Sequence, residues 1–394
     1  MERKLGIVLA PILLALALVP GSSALAATTG AATTTGATVA VCTSWVTMSS
    51  RNPGSGDNNL NAVAAVSATS VWAVGDYFVG ATTKTLVEHW NGKTWKVVRS
   101  PNKGTDDTLH SVYVVSPTNI WAVGSYFTTA GRTLIEHWNG KTWKVVFSQN
   151  VGPGANELTA VRGTSGHDIW AVGNATTSYP LSDTVILHWN GRRWQLVPSP
   201  NVANRPNFLR AVRPVSPTDA WAVGRYDPKG GGSLPLVLHL TKGHWHIVSS
   251  PGGTSGSGSN TLNGVLATSS ASAWAVGDCY NGTMDRTLIL HWNGHKWLKS
   301  ASPNVGTDSD DVNAVGATSA ANIYAVGADY RNTSSHVLIE RWNGSHWRVL
   351  AGRNPGAGYN IFNGVFALSA RSIWAVGTTA SKTGQNRTLI EHCR

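Results

Sequence analysis

Three arginines have the type and spacing needed to bind an anionic group. Arg210 is the second residue of a short apolar-rich segment that recurs along the chain. Arg162 and Arg213 each lie three residues after that second position, in two successive copies of the segment. Guanidinium groups bind carboxylate and sulfate oxygens through paired hydrogen bonds. If the fold brings these segments to one axis, the arginines predict a binding site for a carboxylate or a sulfate.

Tyrosines and aspartates follow a repeated motif, "WAVG" or its variant "YAVG", and predict a second set of ligand contacts. The tyrosines, two or three residues after the motif, are Tyr77, Tyr126, Tyr226, Tyr280 and Tyr330. The aspartates beside them are Asp76, Asp227, Asp278 and Asp329. Aromatic rings stack on sugars, and carboxylates accept hydrogen bonds from hydroxyls. The alternative is that the tyrosines only cap strand ends, because they are as periodic as the repeat.

Histidines and glutamates recur at fixed repeat positions, which indicates a structural role. One position reads His89, His137, His188, His239, His291 and His392, with Arg341 in the remaining repeat. The preceding position reads Glu88, Glu136, Glu340 and Glu391, with leucine in the other three repeats. A catalytic site needs only one copy of its acid or base. No HExxH, GxSxG or phosphate-binding glycine motif occurs, so no cofactor and no metal site are predicted.

The repeated motif also indicates which elements position these residues. Copies of "WAVG" begin at Trp72, Trp121, Trp170, Trp221, Trp274 and Trp374, and "YAVG" begins at Tyr324. Successive copies are 49 to 53 residues apart. A period near 50 is typical of propellers and solenoids. The glycine that ends the motif, Gly75 in the first copy, predicts close backbone approach or a bulge at the strand end.

Each repeat contains four short runs of β-branched and aromatic residues, the composition of β-strands. In the first repeat we predict strands over 60–66, 71–77, 85–90 and 94–99. Asn91 and Gly92 predict a two-residue type I′ turn, since both tolerate positive φ. All 18 tryptophans fall on repeat positions, which favours packing between blades over exposed sugar platforms. Four antiparallel strands per repeat predict one propeller blade.

The last repeat stops at Cys393, before its fourth strand, and an orphan copy of that strand lies at the other end of the chain. In "CTSWVTMSS", Trp45 matches Trp95 of the first repeat. We therefore predict an all-β, seven-bladed propeller whose N-terminal strand completes the last blade and closes the ring. Cys42 and Cys393 fall two positions apart across the interrupted turn, a separation that suits a disulfide. Cys279 has no partner in this scheme.

The N-terminus is typical of an exported protein. Residues 1–26 combine a charged start, an apolar run and the triplet Ala-Leu-Ala, as secretory signal peptides do. A low-complexity linker of alanine, threonine and glycine follows over 27–41, and the propeller is predicted over 42–394. Export leads to an oxidising compartment, in which disulfides persist. We predict a secreted, extracellular monomer without a transmembrane segment after signal cleavage.

The charge balance narrows the class of partner. The formal net charge is +11, but charged residues are only 13% of the chain and form no block of lysine and arginine. Nucleic-acid-binding proteins carry denser basic stripes, so no nucleic acid partner is expected. Diffuse positive charge favours non-specific attraction to anionic glycans, wall polymers or membrane surfaces.

The repeat resembles known propeller families over about residues 42–394. Its tryptophan-rich "WAVG" order is similar to tectonin-type repeats, the "HWNGKTW" hairpin resembles the Asp-box of sialidase-like (BNR) propellers, and the period resembles that of kelch repeats. The sialidase resemblance implies an arginine cluster, a Tyr–Glu nucleophile pair and an acidic general acid. Arg162, Arg210 and Arg213 match the cluster, whereas the other two parts cannot be assembled from repeat positions.

The loops of the repeat predict where a ligand binds. Loops between the second and third strands, and from each fourth strand to the next repeat, are long and variable and share one face, the long-loop face. The other turns are short and form the short-turn face. Variable loops on a rigid scaffold are the usual binding positions. The sequence predicts a non-catalytic propeller that binds a glycan or another extracellular ligand; a sialidase-like hydrolase or lyase at the channel mouth and a protein–protein scaffold are the alternatives.

Overall fold

The computed structural model describes residues 41–42, 44–252, 258–305, 308–380 and 384–394. The predicted signal peptide, and all of the predicted linker except residue 41, lie outside the described residues. Over the described ranges the chain forms 28 β-strands and no helix. No helix in this part of the chain is therefore long and apolar enough to cross a membrane.

Four strand positions alternate along the chain and are called first to fourth in the order of the repeat. First strands are β2 (Asn58–Ser67), β6 (Asp106–Ser116), β10 (Asn156–Ser165), β14 (Asn207–Ser216), β18 (Asn260–Ser269), β22 (Asp310–Ser319) and β26 (Asn360–Ser369). Second strands, which carry "WAVG" or "YAVG", are β3 (Ser70–Val79), β7 (Asn119–Phe127), β11 (Asp168–Ser178), β15 (Asp219–Tyr226), β19 (Ser272–Tyr280), β23 (Asn322–Arg331) and β27 (Ser372–Ala380).

The third and fourth strands complete each blade. Third strands are β4 (Thr82–Trp90), β8 (Gly131–Trp138), β12 (Leu181–Trp189), β16 (Leu234–Thr241), β20 (Asp285–Trp292), β24 (Ser334–Trp342) and β28 (Asn386–Cys393). Fourth strands are β1 (Trp45–Thr47), β5 (Trp95–Val97), β9 (Trp143–Val145), β13 (Trp194–Val197), β17 (His244–Ile247), β21 (Trp297–Ser300) and β25 (Trp347–Val349). The fourth strand of the first repeat is thus shorter than the predicted 94–99.

The strands pair as repeated four-stranded antiparallel sheets, which is the arrangement that the sequence pattern predicts. Five sheets have this form, and a sixth contains eight strands because the parallel pairing of Thr83 with Asp106 joins β4 to β6. The N-terminal strand β1 pairs with the C-terminal strand β28, and Trp45 lies opposite Cys393. A disulfide joins Cys42 to Cys393, as predicted, and Cys279 is a free, buried cysteine.

The hairpin between third and fourth strands corrects one prediction. Trp90 pairs with Trp95, so residues 91–94 form a four-residue loop rather than a two-residue turn. Gly92 has a φ of +89°, but Asn91 is not among the residues with positive φ, as a type I′ turn requires. The Asn91 side-chain oxygen instead accepts hydrogen bonds from the backbone N–H groups of Lys93 and Thr94, both at 3.0 Å. Asparagine therefore holds this loop through its side chain.

Tryptophans fill the cores between neighbouring sheets. The "WAVG" tryptophan Trp170 of β11 lies edge-on to Trp245 of β17, with ring centroids 5.5 Å apart. Trp221 and Trp297 repeat the contact one blade further along, at 5.0 Å. The tryptophans of both strand positions are buried, whereas those that end the third strands are half-buried. A sheet is thus bound to the next by aromatic burial, which stabilises the stack of blades.

Histidines of the third strands support these tryptophans. The His239 ring stacks on Trp221 with centroids 3.7 Å apart, and its Nε2 lies 2.9 Å from the Asp219 carboxylate. In the first repeat His89 stacks on Trp72 and hydrogen-bonds to Ser70. Arg341 fills the position in the blade that lacks the histidine and bonds to Asn322. These contacts occupy one ring nitrogen of each histidine and agree with the structural role that their repetition predicts.

Candidate functional site

Each first strand contains a bulge that directs one polar side chain into a central cavity. The pairing of β2 with β3 skips a residue between Leu60 and Ala62, and the skipped residue is Asn61. Every first strand skips the equivalent residue. These bulged residues are Asn61, His110, Thr159, Arg210, Asn263, Asn313 and Asn363, and all line a cavity of about 450 Å³. Bulges of this kind re-aim side chains next to functional sites.

The glycine of "WAVG" makes the bulge possible. A Cβ added to Gly224 would clash with the backbone carbonyl oxygen of Phe208, on the opposite strand just before the bulge. The same clash would occur at Gly75 with the carbonyl oxygen of Asn59. Only glycine lacks the Cβ that this approach excludes. The prediction of a close approach or a bulge at this glycine is confirmed.

Most of the bulged residues also join neighbouring blades. The Asn61 amide donates a hydrogen bond to the carbonyl of Leu109 in the next first strand, at 2.9 Å. The hydroxyl of Thr159 donates to the carbonyl of Leu209, also at 2.9 Å. Asn263, Asn313 and Asn363 make equivalent bonds at 3.0 to 3.2 Å. His110 and Arg210 make no such bond among the described residues, so their side chains are available for other contacts.

The end of the cavity at the long-loop face is called the channel mouth. It is formed by the bulged residues, by the residue two positions before each of them, and by the second-strand residue that pairs with that one. Asp76 accepts hydrogen bonds from the amides of Asn59 and Asn61, at 2.9 and 3.4 Å. Asp278 accepts one from Asn263 at 2.9 Å. Burial raises the pKa of both carboxyls, that of Asp278 to about 6. The mouth therefore contains carboxyl groups that titrate closer to neutral pH than free aspartate.

One wall of the channel mouth is basic. The Arg225 guanidinium lies 4.7 Å from the centre of the Phe208 ring and 3.2 Å from Asp227. Arg210, half-buried beside it, has no carboxylate within salt-bridge distance among the described residues. Burial and the positive charge of Arg225 lower the pKa of Arg210, while Glu157 and Asp278 raise it. An anion placed here would relieve the repulsion between two guanidinium groups.

Arg162 and Arg213 line the same cavity but lie deeper along their strands. The Arg162 guanidinium donates to the carbonyls of Val112 and Val161, both at 2.8 Å, and so bridges two blades. Burial, and then the charge of Arg213, lower the pKa of Arg162 to about 10. The structure therefore separates the three predicted arginines: Arg210 belongs to the mouth, and the other two form a pair in the channel.

Another part of the channel mouth is acidic. Burial, followed by the negative charges of Asp278, Asp285 and Asp310, raises the pKa of Asp311 to about 7. Burial and the neighbouring Asp311 raise the pKa of Tyr330 to about 12. Asp285, Asp308, Asp311 and Tyr330 line one shared depression. No group of three or more metal-ligating side chains occurs in the described part of the chain. This part of the mouth thus holds a carboxyl that is able to exchange a proton near neutral pH.

The five predicted tyrosines do not form one surface. Tyr77 and Tyr226 lie opposite the first residue of a first strand, and Tyr126 lies opposite the second residue of β6. All three pack against the cores between blades. Tyr280 and Tyr330 lie one residue further along, where the strand directs side chains to its other face. Tyr280 covers Gly258, and Tyr330 lines a depression at the mouth. All five are half-buried.

The four predicted aspartates also divide. Asp76 and Asp278 belong to the mouth, as described above. Asp227 pairs with Arg225, and Asp329 is buried and pairs with Arg331 at 2.5 Å. Cys279, next to Asp278, points into a core, and burial raises the pKa of its thiol. The thiol form is a poor nucleophile, so Cys279 adds nothing to the chemistry of the mouth.

Comparisons with known proteins show the fold and no closer relation. No family model and no curated protein matches the sequence. Among solved structures, "YCF48 bound to D1 peptide" is similar with a TM-score of 0.54 at 14% identity, over 90% of this chain and 98% of that one. A polysaccharide lyase, ulvan lyase, bound to -[GlcA(1-4)Rha3S]- is similar with a TM-score of 0.53 at 11% identity, over 85% and 94%. Similar structures are thus propeller-like, and at this identity they carry no function over.

Several residues of the mouth were not among the sequence predictions. Arg225, Glu157, Asp285 and Asp311 each occur in one repeat only, so periodicity gives no signal for them. Arg225 pairs with Phe208, and Asp311 precedes the bulge of β22 by two residues. For Arg225, Glu157 and Asp311 the signal that would have found them is position: the fourth residue after a "WAVG" tryptophan, and the second residue before a bulge. Asp285 begins a third strand and has neither signal.

Proposed function

We propose that the chain is a seven-bladed, closed β-propeller that binds an anionic extracellular ligand, most simply an acidic glycan, at the channel mouth. The observation that carries the proposal is Arg210, directed into the cavity by a bulge, beside Arg225 and without a carboxylate partner among the described residues. Guanidinium groups in such surroundings bind carboxylates and sulfates through paired hydrogen bonds. The polar side chains around them can bond to sugar hydroxyls.

Contacts between the ends of the chain support the closed ring of seven blades. When the eight-stranded sheet is counted as two blades bridged by one pairing, the chain has seven blades, each with one first strand. Asn363 of the last first strand bonds to the carbonyl of Leu60 in the first one at 3.0 Å. Trp374 of β27 lies edge-on to Trp95 of β5 at 5.6 Å, the contact made between other neighbouring blades. The contact made between other neighbouring blades thus recurs between β27 and β5, which supports the proposed closure.

Secretion is part of the proposal. It rests on the signal-like sequence of residues 1–26 and on the Cys42–Cys393 disulfide, since disulfides persist in oxidising compartments. An extracellular position would expose the channel mouth to polysaccharides and to secreted proteins. Either class can present a carboxylate to Arg210, and the binding experiment includes both.

The experiment uses a glycan array with uronate-containing and sulfated oligosaccharides, together with peptides that end in a free carboxylate. The best ligand is then titrated against Arg210→Gln, Arg225→Gln and the control Arg371→Gln, which removes an exposed charge at the short-turn face. Loss of a hydrogen bond to a charged group costs roughly 1.5–3 kcal/mol, so the two mouth variants should bind about 10- to 100-fold more weakly. Equal affinity of all three variants would refute the site.

A carbohydrate-active enzyme is the second candidate, and one observation favours it. Asp311, with its pKa near 7, adjoins Tyr330 and lies near Asp278, whose charge also acts on Arg210. A general acid or base works best when its pKa is near the working pH. The enzyme hypothesis predicts turnover of the array ligand and its loss, by about 100-fold or more, in Asp311→Asn. If the wild-type protein binds the ligand without turning it over, the non-catalytic binding role is supported. If it binds only a peptide, a protein scaffold is favoured.

A further inference from the structure

The positive charge of the chain is concentrated in one part of the repeat. We call "basic edge" the loops between third and fourth strands together with the fourth strands, residues 91–99, 139–147, 190–198, 241–248, 293–300 and 343–350. These stretches contain eleven lysines and arginines and no aspartate or glutamate. The formal net charge of the chain is +11. The rest of the chain therefore has equal numbers of basic and acidic residues.

The cations of the basic edge are exposed and unpaired. Lys93, Lys141, Arg192 and Arg193 are all exposed at the tips of their loops. None of the ion pairs among the described residues involves a lysine or arginine of these stretches. Several acidic side chains lie at the other end of the blades, at the long-loop face: Asp57, Asp106, Asp183, Asp227, Asp285 and Asp308. Asp168 and Asp219 lie at the short-turn end, where each pairs with a histidine. The surplus of positive charge therefore lies at the basic edge.

Protection of strand edges explains only part of this pattern. A fourth strand has one unpaired edge, and short edge strands with lysine resist pairing with other molecules. Lys96, Lys144 and Arg348 lie in fourth strands of three residues and fit this role. The cations at the loop tips lie outside every strand ladder, so edge protection does not account for them. A partner of opposite charge does account for them.

We infer that the basic edge binds a linear anionic polysaccharide, one bearing sulfate or uronate groups along its length. Lys93, Lys141 and Arg192 occupy the same loop position in the first three repeats, and a flexible polyanion can contact several of these cations together. Contacts made in series on one chain raise the affinity far above that of one contact. A planar membrane would reach the loop tips but not the fourth strands, and a nucleic acid would be drawn by the same charge; both are outcomes of the test.

The inference is independent of the ligand at the channel mouth. It concerns the opposite end of the blades and a polymer, whereas the mouth has room for only a small part of a ligand. Variants of the basic edge leave Arg210 and Arg225 in place, and variants of the mouth leave the basic edge unchanged. Failure of one proposal is therefore distinguishable from failure of the other.

The test compares two fourfold variants that remove the same charge from opposite ends. The edge variant is Lys93→Gln, Lys141→Gln, Arg192→Gln and Arg193→Gln; the control is Lys84→Gln, Lys103→Gln, Lys229→Gln and Arg387→Gln, all at the long-loop end. The probes are heparin oligosaccharides of increasing length, vesicles of phosphatidylserine and phosphatidylcholine, and duplex DNA. Affinity is measured at several salt concentrations, and thermal unfolding confirms that both variants fold.

The expected result is wild-type affinity for heparin that rises with chain length and falls with salt. Four exposed ion pairs together make about a tenfold difference, so the edge variant should bind about tenfold more weakly and the control within about twofold of wild type. Equal losses in both variants would mean attraction by net charge alone and would overturn the inference. No loss in either variant, or stronger wild-type binding to vesicles or DNA than to heparin, would overturn it as well.

Discussion

The short-turn and long-loop ends of the blades use the same four strands in different ways. Near the short turns the residues are nearly constant: tryptophan, histidine and a short polar partner recur from blade to blade. At the mouth the fourth residue after the motif's first residue changes in almost every blade, and reads Asp76, Ser125, Asn174, Arg225, Asp278, Ala328 and Thr378. The repeated residues, called the frame, thus hold the blades together, and the mouth distinguishes one blade from another.

Buried glutamates show that the frame itself has two versions. Glu88 accepts hydrogen bonds from the Ser50 hydroxyl at 3.0 Å and the Arg51 N–H at 3.3 Å, and Glu391 accepts one from the Arg353 N–H. Proline stands at the positions that match Arg51 in the loops facing Glu136 and Glu340, namely Pro101 and Pro303. Proline has no N–H to donate. Both oxygens of Glu136 and of Glu340 are buried without a hydrogen bond among the described residues.

The largest effect on the frame is expected from the disulfide that joins the two ends of the chain. Cys42→Ser should lower the unfolding free energy by about 2–5 kcal/mol under oxidising conditions, because the bond closes a long loop of the unfolded chain. The difference should vanish in reductant, and ligand binding by the folded protein should stay unchanged. Thermal unfolding with and without reductant measures this. An unchanged melting temperature for Cys42→Ser, or equal loss for Cys279→Ala, would break the assignment.

The bulge that connects the frame to the mouth gives the second prediction. Gly224→Ala places a Cβ against the carbonyl oxygen of Phe208 and should cost about 3 kcal/mol or more. The control Gly252→Ala has only ordinary contacts, the nearest at 3.4 Å, and should change stability little. Chemical denaturation compares the two. Similar costs would show that the bulge is not as tight as the structure has it.

The two versions of the buried glutamate predict different pH dependence. Burial raises the pKa of Glu136 from its ordinary 4.5 to about 8, so folding favours its protonated form. The stability that this group contributes is present below pH 4.5 and is lost as pH rises through about 8. The free energy of unfolding of Glu136→Gln should exceed that of wild type by on the order of 2 kcal/mol near pH ~9 and equal it near pH ~4.

Glu88→Gln serves as the matched comparison for Glu136→Gln. Burial raises the pKa of Glu88 to about 7, less than for Glu136, because Arg51 and Ser50 donate to its carboxylate. At alkaline pH, Glu88→Gln should therefore gain less unfolding free energy over wild type than Glu136→Gln does. Denaturation curves of both variants across this pH range give the answer, and a larger gain for Glu88→Gln would contradict the role assigned to Pro101.

The tyrosines give the smallest expected effects and the sharpest test of the boundary between frame and mouth. Tyr226→Ala removes a ring that packs on a core and should lower stability by about 1–2 kcal/mol while the folded protein binds ligand as before. Tyr330→Ala should instead weaken binding by about 1–2 kcal/mol with little loss of stability. Melting temperature and affinity are measured for both variants. The reverse outcome would assign Tyr226 to the mouth and Tyr330 to the frame.

Periodicity predicted the frame because every blade has to satisfy the same packing. The period of "WAVG", the orphan strand with Trp45 and the partner of Cys42 all follow from matching one repeat to another, and the observed pairing and disulfide agree. The hairpin at Asn91 was predicted wrongly as a type I′ turn, since Asn-Gly suits several turns and the pairing of Trp90 with Trp95 selects the longer loop. Local sequence does not decide between turns that differ only in register.

The sequence by itself determined the order of strands, the aromatic contacts between blades and the place of the disulfide, because each of these repeats or matches a repeat. Only the tertiary structure decided which single residues meet at the mouth. Arg210 and Arg225 come from one blade and Asp278 and Asp311 from two others, and no spacing along the chain relates one charge to another across a channel. The burial of Asp311 and its proximity to Asp278, which together raise its pKa to about 7, arise from the way the blades are arranged around the cavity.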